Sequence, residues 1–323
     1  MRIVHIGHRE TAGSAYCLAH AINKLTKHKA VNIRFIDSYM RYPTLLNGGS
    51  LSRETLKKIL YKADVLHFHI HVAPFFTSLR LNPKKFRDKT TLMYYHGTPL
   101  RTFKEKLTAE ADEFLPGHIT TVSTPDLLKY VKDGVWLPVC RSFSEINQAY
   151  GKTGTDRKAI NSFTRKKTVV FGHATSNVEK HGSKLFFSAL TNVIRGNTRV
   201  RSSIIINTPW DACLRKMTGF DVALGEAVLG VMQLTQVEAA IFKIPVVSLL
   251  TPETRALYKK LVGEAPPVVS WKNKADLEEK LYLLLERSDV RKLLGLQMYE
   301  YAKKLHDEEA VVNRYFRILN LKS

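Results

Sequence analysis

The sequence predicts an α/β chain of two doubly wound parallel-sheet units, and three observations lead there. Ten short apolar runs, rich in β-branched and aromatic residues, alternate with amphipathic helical stretches along the 323 residues. The runs are near-continuously apolar, as strands covered by helices on both faces require. A polar, basic stretch without clear periodicity, Cys140 to Lys167, divides them into two sets.

In the first set, "RIVHIG" opens the chain and leads through a small-residue loop into the helical "SAYCLAHAINK". "NIRFID", "VLHFHI", "TTLMYYH" and "HITTVS" follow, separated by helical or turn-forming segments. The second set is "TVVFGHA", "SSIIINT", "DVALGE", "PVVSLL" and "PPVVSW". The expected organisation is a first domain over 1–139, a connection over 140–167, a second domain over 168–305 and a closing helical segment over 306–323.

With 44% hydrophobic residues, a chain of this length can bury two ordinary cores. It has no apolar run long enough to span a bilayer, and "MRIVHIGHRE" enters a strand pattern at once instead of a signal peptide. A soluble, cytoplasmic protein is expected. Cys17, Cys140 and Cys213 are odd in number, far apart and without metal-ligand spacing, so neither a disulfide framework nor a zinc site is indicated. The formal charge of +21 asks for an anionic partner: nucleic acid, an acidic membrane surface or a phosphorylated substrate. Basic residues cluster at Arg80 to Lys89, Leu100 to Lys106 and Arg157 to Lys167.

In such sheets, ligands sit outside the carboxyl ends of the strands. After the first strand, Gly13, Ser14 and Ala15 open a helix without a bulky side chain, so backbone N–H groups there can approach a phosphate or a sugar hydroxyl, or the glycine simply permits close packing. "HFHIH" sets His67, His69 and His71 at period two, on one face of a strand. No carboxylate is interleaved with them, so a metal is not expected. In "YYHGTPLR", His96 stands at a strand end, Gly97 allows a sharp turn and Arg101 follows within reach of an anion.

In the second half, the loop His173 to Lys184 gathers His173, Lys180, His181 and Lys184 around Gly182 at a helix start, a set suited to phosphate. Glu238 opens an otherwise apolar helix in "TQVEAAIFKIPVV", where a carboxylate can accept two hydrogen bonds from a vicinal diol or merely complement the helix N-terminus. Gly230 lies eight positions before it.

These pieces resemble the retaining glycosyltransferases of the GT-B fold, in particular the large family four, over nearly the whole chain. The matching pieces are the "IVHIG" start, "YYHGTPLR", "VSTPDLLKYVKDGVWLP", "FGHATSN" with "KHGSK", and "VEAAIFKIPVV", which is similar to the family's "EAMALGKPVV". The tail "YAKKLHDEEAVVNRYFRIL" also matches. The resemblance implies two Rossmann-like domains facing across a cleft and transfer from a nucleoside-diphosphate sugar. Glu238 would take the second position of the family's E-x7-E motif, on the donor ribose, and His96 the histidine that reaches the donor sugar. Lys180 or His181 would meet the diphosphate, with Lys184 in reserve. The segment near Asp289 to Leu321 would cross back to pack on the first domain.

Two departures stand out. Gly230 replaces the first glutamate of E-x7-E, so loop N–H groups between Gly230 and Thr235 would have to serve the sugar or diphosphate. Val178, flanked by Glu179, stands where the family carries an arginine. No D-x-D occurs anywhere, so no cofactor and no metal bridging the diphosphate are expected. The expected partners are a nucleotide sugar, a glycan or lipid-linked acceptor and an anionic membrane surface. Nucleic acid ranks below these, and a non-catalytic binding subunit is a further alternative.

Overall fold

The computed structural model describes residues 1–9, 12–151, 168–195, 197 and 199–320. Most of the expected connection, with its basic cluster Arg157 to Lys167, lies outside the described residues, as does Leu321. The chain forms two compact units, Met1–Ser142 with His306–Ser323, and Phe143–Leu305.

The first unit carries seven strands: β1 (Arg2–Arg9), β2 (Lys29–Ile36), β3 (Leu46–Asn47), β4 (Val65–His69), β5 (Thr90–Tyr95), β6 (Ile119–Val122) and β7 (Val135–Trp136). All pair in parallel, in the order β3-β2-β1-β4-β5-β6-β7. This is the doubly wound arrangement, with its reversal of strand order between β1 and β4. Its helices are α1 (Ser14–Leu25), α2 (Arg53–Lys62), α3 (Ala73–Ser78) and α4 (Gly97–Phe114).

The second unit carries four parallel strands, β8 (Val169–Thr175), β9 (Val200–Ile206), β10 (Val222–Leu224) and β11 (Val246–Val247), in the order β11-β10-β8-β9. Around them run α5 (Phe143–Tyr150), α6 (Ser183–Ile194), α7 (Trp210–Met217), α8 (Leu234–Ile241), α9 (Pro252–Val262), α10 (Lys274–Glu286) and α11 (Ser288–His306). The last helix, α12 (Glu308–Asn320), belongs to the first unit, where Val311, Tyr315 and Ile318 share a core with Leu18 and Ile22 of α1 and with Ile3, Val65 and Leu92 of the sheet. A Lys24–Glu308 ion pair at 2.8 Å ties the same two helices.

Nine of the ten apolar runs are strands. The tenth, "PPVVSW", makes a single bridge, Val247 to Val269, because Pro266 and Pro267 have no N–H to offer a ladder and pairing begins only at Val269. β3 and β7 are two residues long, too short to carry a period. The stretch read as an aperiodic connection from Cys140 contains α5, whose Phe143 and Ile146 are buried at helical spacing. Among the described residues no helix is long and apolar enough to cross a membrane.

Candidate functional site

In the second sheet the chain passes from β8 to β9 on one side and returns to β10 on the other, so the crevice belongs between the loops that follow β8 and β10. The structure joins those loops. His181 donates through Nδ1 to Glu226 Oε2 at 2.5 Å, and the Ala227 N–H donates to the His181 carbonyl at 3.3 Å. Glu226 is buried and also accepts from the N–H groups of Val228 (2.6 Å) and Leu229 (3.0 Å). Burial pushes its carboxyl up, but the bonds from His181, Leu229 and Val228 outweigh that and hold it below its ordinary range. A single carboxylate therefore shapes one loop and orients the imidazole of the other.

Gly182 caps α6 in the left-handed conformation, with φ of 70°, and a Cβ there would come within 2.7 Å of Ala227 Cβ. Just inside the helix, the buried Ser183 hydroxyl lies 2.8 Å from His173 Nε2, while His173 Nδ1 lies 2.7 Å from the Leu224 carbonyl. Only an N–H can donate to that carbonyl, so Nε2 accepts from the hydroxyl. Burial keeps the ring neutral. His173 thus fastens the start of α6 to β10.

Lys180 and Lys184 flank this helix start, and both are exposed. Among the described residues neither makes an ion pair, unlike Lys24 or Lys280. The N–H groups of Gly182 and Ser183 already donate to the carbonyls of Glu179 and Val178. Charge for an anion therefore resides in the side chains more than in the helix N-terminus.

Glu238 lies in α8, buried, and accepts from Trp210 Nε1 at 2.8 Å. Trp210 begins α7, directly after the β9 loop, so the acid is positioned from a neighbouring strand end. Gly230 is buried with φ of 66°, and a side chain there would strike the Thr251 methyl. The glycine is what this backbone and this contact allow.

In the first unit, Gly13 is also left-handed, φ 65°, and the Tyr42 ring covers the space a Cβ would take. Its loop is held by Arg141, which donates to the Ala12 carbonyl at 2.7 Å. Among the alternatives open at this glycine, close packing is what the structure displays. His96 precedes α4 at the end of β5, with Nε2 3.4 Å from His69 Nδ1, and burial pushes its ring down to about 4. Arg101 is engaged by Asp126 through Nε (3.0 Å) and Nη2 (2.6 Å), and its guanidinium packs over Gly97. His71 falls beyond β4, half-exposed, 3.9 Å from Glu110.

No family model matches the chain, and no curated protein matches it. Solved structures do. One, an alpha-glucosyltransferase in complex with UDP and a 13-mer DNA containing a central A:G mismatch, superposes with a TM-score of 0.71 at 10% identity, covering 99% of this chain and 100% of that one. A sucrose-phosphate synthase from Thermosynechococcus elongatus gives 0.61 at 10% identity, covering 100% of both chains. A glycosyltransferase from Rickettsia africae gives 0.64 at 11% identity, covering 98% and 97%. The chain has the GT-B fold.

On that fold, the structure gathers Lys180, His181 and Lys184 on one helix start and sets Glu238 and Gly230 on the following elements of the same unit. Sequence reasoning missed Glu226, Trp210 and Asp126. Glu226 did carry a signal, being an acid at the end of a buried strand, where an unpaired carboxylate is costly.

Proposed function

We propose that the chain is a retaining glycosyltransferase, acting without a metal at the diphosphate, that moves a hexose or other sugar from a nucleoside-diphosphate sugar to a glycan or lipid-linked glycan. The observation that carries the reading is the joined loop pair of the second unit on a GT-B fold, where unpaired Lys180 and Lys184 flank a His181 oriented by buried Glu226.

In this reading, Lys180 and Lys184 stabilise the charge that develops on the departing nucleoside diphosphate. Glu226 accepts from His181 Nδ1 and so orients the ring, and as the imidazolium His181 would offer its second N–H, at Nε2, to a phosphate oxygen. Glu238 holds the ribose hydroxyls, and His96 contacts the transferred sugar. The loop from Gly230 to Thr235 takes over what the absent first glutamate of E-x7-E would do. Transfer proceeds on one face. The acceptor oxygen bonds to the anomeric carbon, the bond from that carbon to the diphosphate oxygen breaks, and the acceptor proton passes to the departing phosphate. Orientation supplies most of the rate.

Release of nucleoside diphosphate is the test, run over a panel of nucleotide sugars with candidate acceptors. Release that is lost in Glu238→Ala supports the reading. No release from any donor would leave a non-catalytic binding subunit, the outcome that Gly230 and Val178 foreshadow.

A second reading, a glycosyltransferase that modifies nucleic acid, is favoured by the net charge of +21 and by the neighbour solved with DNA. Its binding to duplex DNA would weaken with a log–log salt slope of about −0.9 per phosphate contacted. An anionic membrane, the third candidate for the excess charge, is tested by sedimentation with acidic against neutral vesicles. We assign the protein to the cytoplasm, with peripheral membrane association conditional on that result.

A further inference from the structure

The first unit contains a buried imidazole cluster that the proposed transfer reaction does not use. On parallel strands, residues two apart share a face. The face of the sheet that carries Ile3, Val65 and Leu92 toward α1 and α12 continues, strand by strand, into His5 on β1, His67 and His69 on β4, and Tyr94 on β5. His5 and His67 are direct neighbours in the β1–β4 register, and His69 pairs with Gly7 one step further along. The four positions thus lie at the sheet's reversal of strand order.

All three histidines are buried, with relative exposures of 0% for His5, 0% for His67 and 2% for His69. His5 and His67 approach through their Nδ1 atoms at 3.0 Å. A neutral imidazole has one N–H and one lone pair, so in that contact one ring donates and the other accepts. The donor's Nε2 is then a lone pair, and the acceptor's Nε2 is an N–H. Both are buried with no partner, and so is Nε2 of His69. The hydroxyl of Tyr315, whose ring stacks on His67 at 5.5 Å between centroids, is a fourth orphaned polar atom. Leaving such an atom unpaired is costly, and four in one place is a concentration that native interiors avoid.

One donor nitrogen from each of His5, His67 and His69 lies within 4.8 Å of the other two. We propose that these three imidazoles bind a divalent transition-metal ion of the zinc type, clamping β1 to β4. Three neutral nitrogens and no carboxylate select a borderline metal such as zinc over magnesium or calcium, which take oxygen ligands. Three protein ligands leave a fourth position for water, with the Tyr315 hydroxyl available as its hydrogen-bond partner. The sequence alone pointed elsewhere. Spacing grouped His71 with His67 and His69, but the chain leaves the sheet at Ile70 with φ of 72°, and His5, 62 residues from His67, takes the third place.

The clamp also bears on His96. His69 stacks on His96 at 5.7 Å between centroids, so a metal that fixes His69 fixes the ring beside it. His5, His67 and His69 are positioning residues in this respect.

The test uses the full chain, free of any histidine tag. Metal content is read by mass spectrometry after dialysis, and zinc is titrated into chelator-stripped protein against a chromophoric competitor. Cobalt(II) is then added to the stripped protein and its visible d–d bands recorded. The proposal expects about one zinc per chain, cobalt bands of a four-coordinate nitrogen-rich site, affinity lowered more than about tenfold in His67→Asn, and unchanged binding in His71→Gln. If His67→Asn does not fold by circular dichroism, His5→Gln replaces it, and the cobalt spectrum of the unaltered protein stands regardless. No zinc taken up, cobalt bands absent, or zinc retained at full affinity in the folded variant would each overturn it; the last result would place the metal at surface histidines.

Discussion

Acid should unfold the first unit well above the carboxylate range, and the buried histidines set how steeply. His96 and His306 are both held neutral, each pushed by burial from an ordinary 6.5 to about 4. His306 donates through Nδ1 to the Val139 carbonyl at 3.0 Å, and it sits beside the cations Arg141 and Arg314. Below pH 6.5 the unfolded chain takes up protons that the folded chain refuses, so stability falls as pH falls; above it the effect vanishes. Each ring contributes a slope approaching about 1.4 kcal/mol per pH unit between the two values. Integrated from pH 7.5 to 5, that is roughly 2 kcal/mol per ring, or about 4 kcal/mol for these two. His5, His67 and His69 shift in the same direction and steepen the fall. Against a usual total of about 5–15 kcal/mol, the loss is large. The assay is urea unfolding of chelator-stripped protein at several pH values, followed by circular dichroism and by the fluorescence of buried Trp136, which lies in this unit. His306→Asn keeps a donor near Val139 but cannot titrate, and it should recover about 2 kcal/mol at pH 5 relative to the unaltered chain. Stability that stays flat from pH 6.5 to 5, or a variant with an unchanged pH slope, would show that these rings do not govern the acid sensitivity of the unit.

Glu226→Ala strips the acceptor from His181, Val228 and Leu229 together, and should destabilise the second unit by about 3–5 kcal/mol in urea melts. Gly230→Ala forces a side chain into left-handed backbone and against the Thr251 methyl, with an expected loss of about 1–3 kcal/mol. Adding Thr251→Ser should relieve the contact but not the backbone strain, so the double variant recovers only part of the melting temperature.

Much of the fold was legible because buried parallel strands write themselves as continuous apolar runs, and nine runs became strands. What escaped was either too short, as at Leu46–Asn47 and Val135–Trp136, or altered by proline, as in "PPVVSW". α5 was hidden because Phe143 and Ile146, its buried anchors, sit inside a basic, polar stretch. At the candidate site, single residue types could be marked, but partners could not. His181 was singled out for its charge, whereas the acid that orients it lies 45 residues away at the end of β10. Arg101 read as an anion contact because Asp126, 25 residues on, is reached only through the fold. Local spacing carries information along one strand or helix; the pairings that set protonation and orientation run between elements.

If, as proposed, the second unit binds the nucleoside diphosphate of a sugar donor through Glu238 and the Lys180–Lys184 loop, calorimetric titration of the common nucleoside diphosphates into the unaltered chain and into Glu238→Gln should show it. At least one of them should bind, and the substitution should weaken it about 10- to 150-fold, the loss of a hydrogen bond to a charged group. No binding by any nucleoside diphosphate at millimolar concentration, or equal affinity in both proteins, would rule out that role for the second unit.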